Sequence, residues 1–62
     1  MMIKLTDYND AEVLVAAAAI KDGSIQVMEQ PVGQTMLVYT TSGYSVQVKE
    51  SVTEVLRLAE AQ

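Results

Sequence analysis

The chain of 62 residues contains no cysteine, no histidine, no tryptophan and no phenylalanine. Without a thiol or an imidazole it cannot assemble the Ser-His, Cys-His or zinc centres that many hydrolases use. The absence of cysteine also excludes a disulfide framework, a common support of very small domains. We therefore expect no catalytic residue, no metal ligand and no bound cofactor, and predict that the protein is not an enzyme.

Positive charge is scarce as well, with four Lys and Arg residues against eight Asp and Glu residues and a formal net charge of −4. The four cations stand singly along the chain, so no basic stripe is available to neutralise several phosphates. Direct binding of nucleic acid is therefore not expected.

Long hydrophobic runs are missing too. The longest apolar stretch covers residues 13–20, far short of the roughly 20 residues that cross a bilayer. The first residues alternate around a lone Lys4 and show no cleavage site after a hydrophobic run. We expect a cytoplasmic protein with no signal peptide and no membrane insertion.

Half of the residues are nevertheless apolar in this short chain. Burying roughly 3,500 Å² of apolar surface at about 25 cal/mol per Å² gives roughly 85 to 90 kcal/mol. Ordering the chain costs about 1.5 kcal/mol per residue, or roughly 93 kcal/mol in all. Because these terms nearly cancel and no disulfide or metal can help, we expect copies of the chain to form a homodimer or higher oligomer.

Two-residue alternation and turn residues predict strands over residues 2–6, 24–29, 34–41 and 44–49. Asp7, Asn9 and Asp10 favour a turn after the first strand. The carboxylates of Asp7, Asp10 and Glu12 are interpreted as turn and solvent-facing groups in preference to a weak cation site.

Residues 11–22 are ambiguous. One interpretation is a strand over 12–16 that returns along the first strand as a hairpin, followed by a corner of small residues. The other is a helix capped by Asp10 and stopped at Gly23, because alanine has the highest helix propensity. The consecutive Val13, Leu14 and Val15 suit a strand buried on both faces.

A helix over residues 51–61 is the clearest prediction. Ser51 and Glu54 fit a capping box, in which the serine hydroxyl accepts from the Glu54 amide and the Glu54 side chain returns to the Ser51 amide. An apolar stripe then follows at helical spacing, with Leu58 off it. The stripe contains Val52, Val55, Leu56 and Ala59.

Both ends of the chain contain motifs that can be compared with known families. These are residues 2–6, Asn9 at the first turn, and residues 48–55, which read Val-Lys-Glu-Ser-Val-Thr-Glu-Val. In these segments the chain resembles the short flagellar proteins of the FlbD (SwrD) type. Members of that family typically begin with variants of Met-Ile-Leu-Thr, turn at Asn-Gly, and enter a C-terminal helix through Val-Lys-Glu-Ser-Val-x-Glu-Val. Ser42 and Gly43 fall where the family has a second Asn-Gly turn. The likeness covers nearly the full chain.

The resemblance implies a strand over residues 12–16 and a non-enzymatic role as an interaction or assembly accessory factor with an unidentified protein partner. The chain departs from the family at Tyr8 and Asp10 of the first turn and at its four alanines, residues 16–19. A second resemblance, to the RNA-binding regulator CsrA, rests on a Leu-Thr strand, five strands and a short C-terminal helix. It implies an intertwined dimer and, as an alternative function, a phage or bacterial regulator acting on nucleic acid or on a basic partner protein.

The predicted fold is a single small α+β domain over residues 1–62, with one antiparallel sheet of four or five strands, a C-terminal helix, and self-association through apolar faces. Ten residues are predicted to form its core or interface. They are Val13, Leu14, Val15, Leu37, Val46, Val48, Val52, Val55, Leu56 and Ala59.

Overall fold

A β-hairpin begins the chain in the computed structural model, which describes all 62 residues. Strand β1 (Met2–Thr6) pairs antiparallel with β2 (Glu12–Ala16), and this register sets Ile3 opposite Val15. The strand interpretation of residues 12–16 is therefore the correct one for that segment. The alternating pattern of β1 turns Ile3 and Leu5 into the core, as a half-buried strand requires.

The turn of this hairpin is organised by Asp7. Its Oδ1 accepts hydrogen bonds from the backbone N–H groups of Asn9 and Ala11 at 2.8 and 2.9 Å. Asp10 adopts a positive φ of 62°, a conformation that Asp and Asn tolerate better than most residues. These contacts agree with the turn predicted from the sequence.

The alanine-rich segment after β2 contains a short helix, α1 (Ala17–Lys21), where one interpretation of the sequence predicted a corner and the other a helix. The backbone N–H of Ala17 donates to the Met1 carbonyl at 2.9 Å, which completes the hairpin at the residue where the helix begins. Gly23, with a positive φ of 87°, follows the helix. The strand interpretation is thus correct for residues 12–16. The helix interpretation is correct for residues 17–21 and for the stop at Gly23, but wrong about the cap, because the helix begins after Ala16 and Asp10 lies in the hairpin turn.

The remaining strands form a second antiparallel sheet in the order β3-β4-β5. These strands are β3 (Ile25–Glu29), β4 (Thr35–Tyr39) and β5 (Ser45–Val48). The turn between β4 and β5 contains Gly43 at a positive φ of 77°. Its N–H donates to the Tyr39 carbonyl at 2.8 Å.

The two sheets meet at one place, which we call the junction. There the N–H of Lys49 donates to the Thr6 carbonyl at 2.7 Å, and the N–H of Thr6 donates to Glu50 Oε1 at 2.9 Å. Asp7 and Val48 form an isolated bridge beside these bonds. The strands therefore divide into a two-stranded and a three-stranded sheet, in place of the one sheet predicted, because β5 ends here and the chain turns away from β1 into the last helix.

That helix, α2 (Val52–Glu60), packs against α1, β1 and β3. Ser51 Oγ accepts from the Glu54 N–H at 3.1 Å, as predicted for the cap. The Glu54 carboxylate, however, binds the Arg57 guanidinium at 2.7 and 2.9 Å and is not returned to the Ser51 amide. A charged partner one turn away forms a stronger hydrogen bond than a neutral amide does.

The apolar stripe of α2 differs from the prediction on one flank. Val55 and Ala59 are buried, but Leu56 is 43% exposed, whereas Leu58 packs against the core. At 100° per residue, Leu56 and Leu58 lie about 80° to either side of the line through Val55 and Ala59. Helical spacing alone therefore cannot decide which leucine faces the core, and the elements packed against α2 make that choice.

The core combines residues from both sheets and both helices. Thr35 is the one buried polar residue, and no buried polar side-chain atom lacks a hydrogen bond. The nine buried apolar residues are Ile3, Leu5, Val15, Ala17, Ile25, Leu37, Val48, Val55 and Ala59.

The single chain has the dimensions of a compact monomer. Its accessible surface is 3936 Å², and surface scaling gives about 3,900 Å² for a folded chain of this mass. Its radius of gyration is 10.5 Å, against about 10.6 Å expected for this length. Such a chain differs in shape from the protomer of an intertwined dimer, which leaves its own core open for its partner.

Replacing a core leucine and a surface leucine by alanine tests this arrangement. We expect Leu37→Ala to lower the free energy of unfolding by about 3 kcal/mol, because Leu37 is fully buried and its loss leaves a cavity. Leu56→Ala, with the same chemical change, is expected to cost less than about 1 kcal/mol. Urea denaturation followed by circular dichroism measures both, and equal losses would contradict the core described here.

A second test concerns the junction. Glu50→Ala removes the acceptor of the partly buried Thr6 N–H, so we expect a loss of about 1 to 2 kcal/mol and faster hydrogen exchange at the Thr6 amide. Glu60→Ala, which removes an exposed carboxylate from α2, is the matched control. Unchanged protection of the Thr6 amide in Glu50→Ala would show that the junction does not form as described.

Candidate interaction surface

An apolar groove of about 480 Å³ lies where the hairpin, α1 and the ends of β3 and β4 meet, and we call it the β2 groove. No carboxylate, amine or guanidinium lines it. Six of its nine residues are hydrophobic, and the other three carry hydroxyls. The lining comprises Met2, Leu14, Ala16, Ala19, Ile25, Tyr39, Ser24, Thr41 and Ser42.

The hairpin supplies the most exposed apolar part of this groove. Side chains alternate across a strand, so Val13 and Val15 face the core and Leu14 must face away. Leu14 is consequently 51% exposed, and Met2 on β1 is 56% exposed. The three consecutive apolar residues of β2 thus place one large side chain on the surface.

Tyr39 and the loop after β4 form the opposite wall. The Tyr39 and Tyr44 rings pack with their centroids 5.5 Å apart at an interplanar angle of 60°, as expected for aromatic residues that flank a hairpin turn. At the rim, the backbone N–H and the Oγ1 hydroxyl of Thr40 both donate to the Ser24 carbonyl at 3.0 Å. This wall is therefore fixed by hydrogen bonds and ring packing.

Each cation of the protein has a partner. Lys4 lies 3.5 Å from Glu12, Lys49 binds Asp10, and the Arg57 guanidinium lies 2.7 Å from the Glu54 carboxylate. Lys21 Nζ donates to the Gln62 carbonyl oxygen at 3.1 Å. The surface therefore presents paired cations together with a surplus of carboxylates.

These pairings shift the pKa values of several exposed groups. The hydrogen bond to Asp10 raises the pKa of Lys49, and the hydrogen bonds from Arg57 lower the pKa of Glu54. The pKa of Asp22 is lowered mainly by the hydrogen bond from the Ser24 backbone N–H. None of these three residues lines the β2 groove.

The acidic turn does not gather its carboxylates around a common point. Asp7 binds backbone amides, Asp10 binds Lys49, and Glu12 pairs with Lys4. No group of three or more Asp or Glu side chains is arranged to hold a metal ion. A second depression of about 400 Å³ beside this turn is half polar and includes Tyr8 and Gln47.

The structure separates the ten predicted core or interface residues into three groups. The first group is half-buried and contains Val13, Val46 and Val52. The second group is fully buried and contains Val15, Leu37, Val48, Val55 and Ala59. The third group is exposed, lies outside the core and contains Leu14 and Leu56. Sequence reasoning missed the other groove residues, Met2, Ile25 and Tyr39 among them, because the groove is formed by elements distant along the chain.

Comparisons with known proteins found no matching protein-family model, curated protein or solved structure. Neither helix is long and apolar enough to cross a membrane.

The Glu54–Arg57 pair supports a pH prediction. The pKa of the Glu54 carboxyl is lower in the folded chain than in the unfolded chain, so its ionised form stabilises the fold. This stabilisation is fully present at pH values above the unfolded-state pKa and is lost as the pH falls through the folded-state pKa. We expect Arg57→Gln to raise the pKa of Glu54, measured by NMR titration of its carboxyl carbon. The pKa of Asp22, which does not depend on Arg57, should stay lowered. An unchanged Glu54 titration would contradict the pairing.

Proposed function

We propose that the protein is a non-enzymatic interaction or assembly factor of the FlbD type, acting in the cytoplasm through the β2 groove. The observation that carries this proposal is the groove itself, an uncharged apolar surface in which Leu14 and Met2 are both more than half exposed. Exposed apolar surface of this kind, rimmed by polar residues, commonly marks a binding site for another protein.

The chemistry of the groove supports binding over catalysis. Its polar side-chain groups are all hydroxyls, those of Ser24, Thr41 and Ser42 and the phenol of Tyr39. A hydroxyl needs an adjacent base to become a nucleophile. No Asp, Glu or Lys side chain lines the groove to act as that base. Its surface therefore suits a partner that offers apolar side chains and accepts or donates a few hydrogen bonds at the rim.

The FlbD resemblance supports the architecture of this proposal. Residues 2–6 form β1, and residues 48–55 contain the end of β5, the junction and the cap of α2. The matching segments therefore belong to the framework of the fold, which is β1, the end of β5, the junction and the start of α2. Most groove residues lie between these segments in the sequence. Under this proposal, the framework is shared with the flagellar proteins and the groove determines the partner.

The surplus of carboxylates favours one alternative, a regulator that occupies a basic site on another protein. All four cations are held by partners on this chain, while the carboxylates of Glu29 and Glu60 have no cation beside them. Such a surface would attract a basic protein and repel nucleic acid. The CsrA-like function on RNA itself has no support from this charge distribution.

A photo-crosslinking amino acid placed at residue 14 tests the proposal in cells. We expect Leu14 replaced by benzoylphenylalanine to form a covalent adduct with a protein, because this position lies in the groove. The same replacement at Leu56, an exposed leucine on α2 outside the groove, is the control. Mass spectrometry identifies the adducts.

Equal adduct formation at both positions, or none at residue 14, would contradict the proposal. Binding of labelled RNA or DNA that weakens steeply with salt would instead support the nucleic-acid regulator.

A further inference from the structure

We infer that β2 is an interface strand along which two copies of the chain pair edge to edge, antiparallel and centred on Leu14. The inference rests on the proposed function, because it names a second copy as the protein that covers the β2 groove. It follows from which sheet edge is open, where its backbone groups point, and which register the charges allow.

The outer strands of the two sheets differ in what packs against them. Strand β3 packs against both helices, α1 and α2, whereas the main helix contact of β2 is with α1, which follows it directly along the chain. No strand lies on the far side of β2, and Glu12 and Leu14 on this strand are exposed. The far edge of β2 is therefore unpaired along the whole strand, whereas the far edge of β1 is bonded at Thr6 in the junction.

The hydrogen-bond pattern of the hairpin shows which backbone groups are available there. The Asp7 N–H bonds to the Ala11 carbonyl, and the Ala17 N–H bonds to the Met1 carbonyl. Antiparallel pairs alternate between bonded and non-bonded, so Val13 and Val15 bond to β1. The N–H and C=O groups of the intervening residues, Glu12, Leu14 and Ala16, point to the open edge.

The sequence of β2 has little of the protection usual for edge strands, since Glu12 at its first position is its only charged residue. Natural edge strands are commonly protected by Lys, Pro or a bulge. β2 reads Glu-Val-Leu-Val-Ala, and its register with β1 is continuous over all five residues. Apolar, β-branched residues at its centre favour a further strand beside it.

Charge and length together select the register. Centring two antiparallel copies on Leu14 overlaps all five residues of β2 and places each Glu12 opposite the Ala16 of the other copy. Centring them on Glu12 would set like charges directly opposite each other, which is unfavourable. Centring them on Ala16 would run the partner strand into α1, which begins at the next residue.

A second copy also matches the exposed face of β2. In this register Leu14, which is half exposed in the single chain, meets Leu14 of the second copy on the groove side. The compact protomer needs no exchange of strands to pair in this way. Because only one short strand from each copy is buried, we expect a dissociation constant in the micromolar range.

Disulfide trapping tests the register directly, because the chain has no native cysteine. In the proposed pair the two Leu14 Cα atoms are about 5.5 Å apart, within the range that a disulfide spans. The two Glu12 residues are about 14 Å apart along the strands and cannot be bridged. Under mild oxidation we expect Leu14→Cys to form covalent dimers and Glu12→Cys to form about tenfold fewer.

Equal trapping at both positions, or none at residue 14, would overturn the register. A variant that keeps the monomer fold gives the complementary test. We expect Leu14→Lys, which places two cations opposite each other, to weaken dimerisation in sedimentation experiments by at least about tenfold, while Leu56→Lys leaves it unchanged. Circular dichroism checks that both variants stay folded.

The sedimentation result also separates this inference from the proposed function. A chain that stays monomeric up to millimolar concentration while residue 14 still crosslinks to a different protein would refute self-pairing and leave the proposed function standing. Loss of both the dimer and all crosslinks at residue 14 would refute both.

Discussion

The hydrogen bonds between Thr6 and residues 49 and 50 are the constraint on which the arrangement of the two sheets depends. They are the one place where the backbones of the hairpin and the three-stranded sheet meet. The other links between the sheets are made by side chains, those of the shared core and the Lys49–Asp10 ion pair beside the junction. Val48, beside the junction, is fully buried, so the end of β5 is packed into this core as well.

The position of the junction also accounts for the groove. It holds the hairpin at the Thr6 end of β1, whereas Met2 and Ala16 lie at the opposite end, where no strand of the other sheet is paired with β1. The space that opens there is bordered by α1 and by the last residue of β4. The apolar surface is thus a consequence of two sheets that are joined at one end only.

Local patterns predicted the local structure well. Alternation located β1, the Asx chemistry of Asp7 located its turn, and Ser51 located the start of α2. Each of these features depends on residues within a few positions of one another, so the sequence carries the full signal. The four alanines, residues 16–19, are divided between two elements. Ala16 ends β2 and pairs with Met2 of β1, whereas residues 17–19 begin α1.

What the sequence could not predict depends on contacts between distant elements. The division into two sheets follows from where β5 ends relative to β1, which no strand pattern encodes. The exposure of Leu56 in place of Leu58 follows from how α2 lies on its neighbours. The groove, likewise, joins β1, β2, α1, β3 and the end of β4, and its residues have no shared spacing along the chain.

The connectivity has a consequence for how the chain folds. Every strand pair is a hairpin of consecutive strands, and such local contacts form with little loss of loop entropy. The junction is different, since the bond from Thr6 to Glu50 spans 44 residues. The slow event in folding is therefore expected to be the docking of the preformed hairpin onto the preformed three-stranded sheet, with closure at Thr6 limiting the rate at which the core becomes sealed from water.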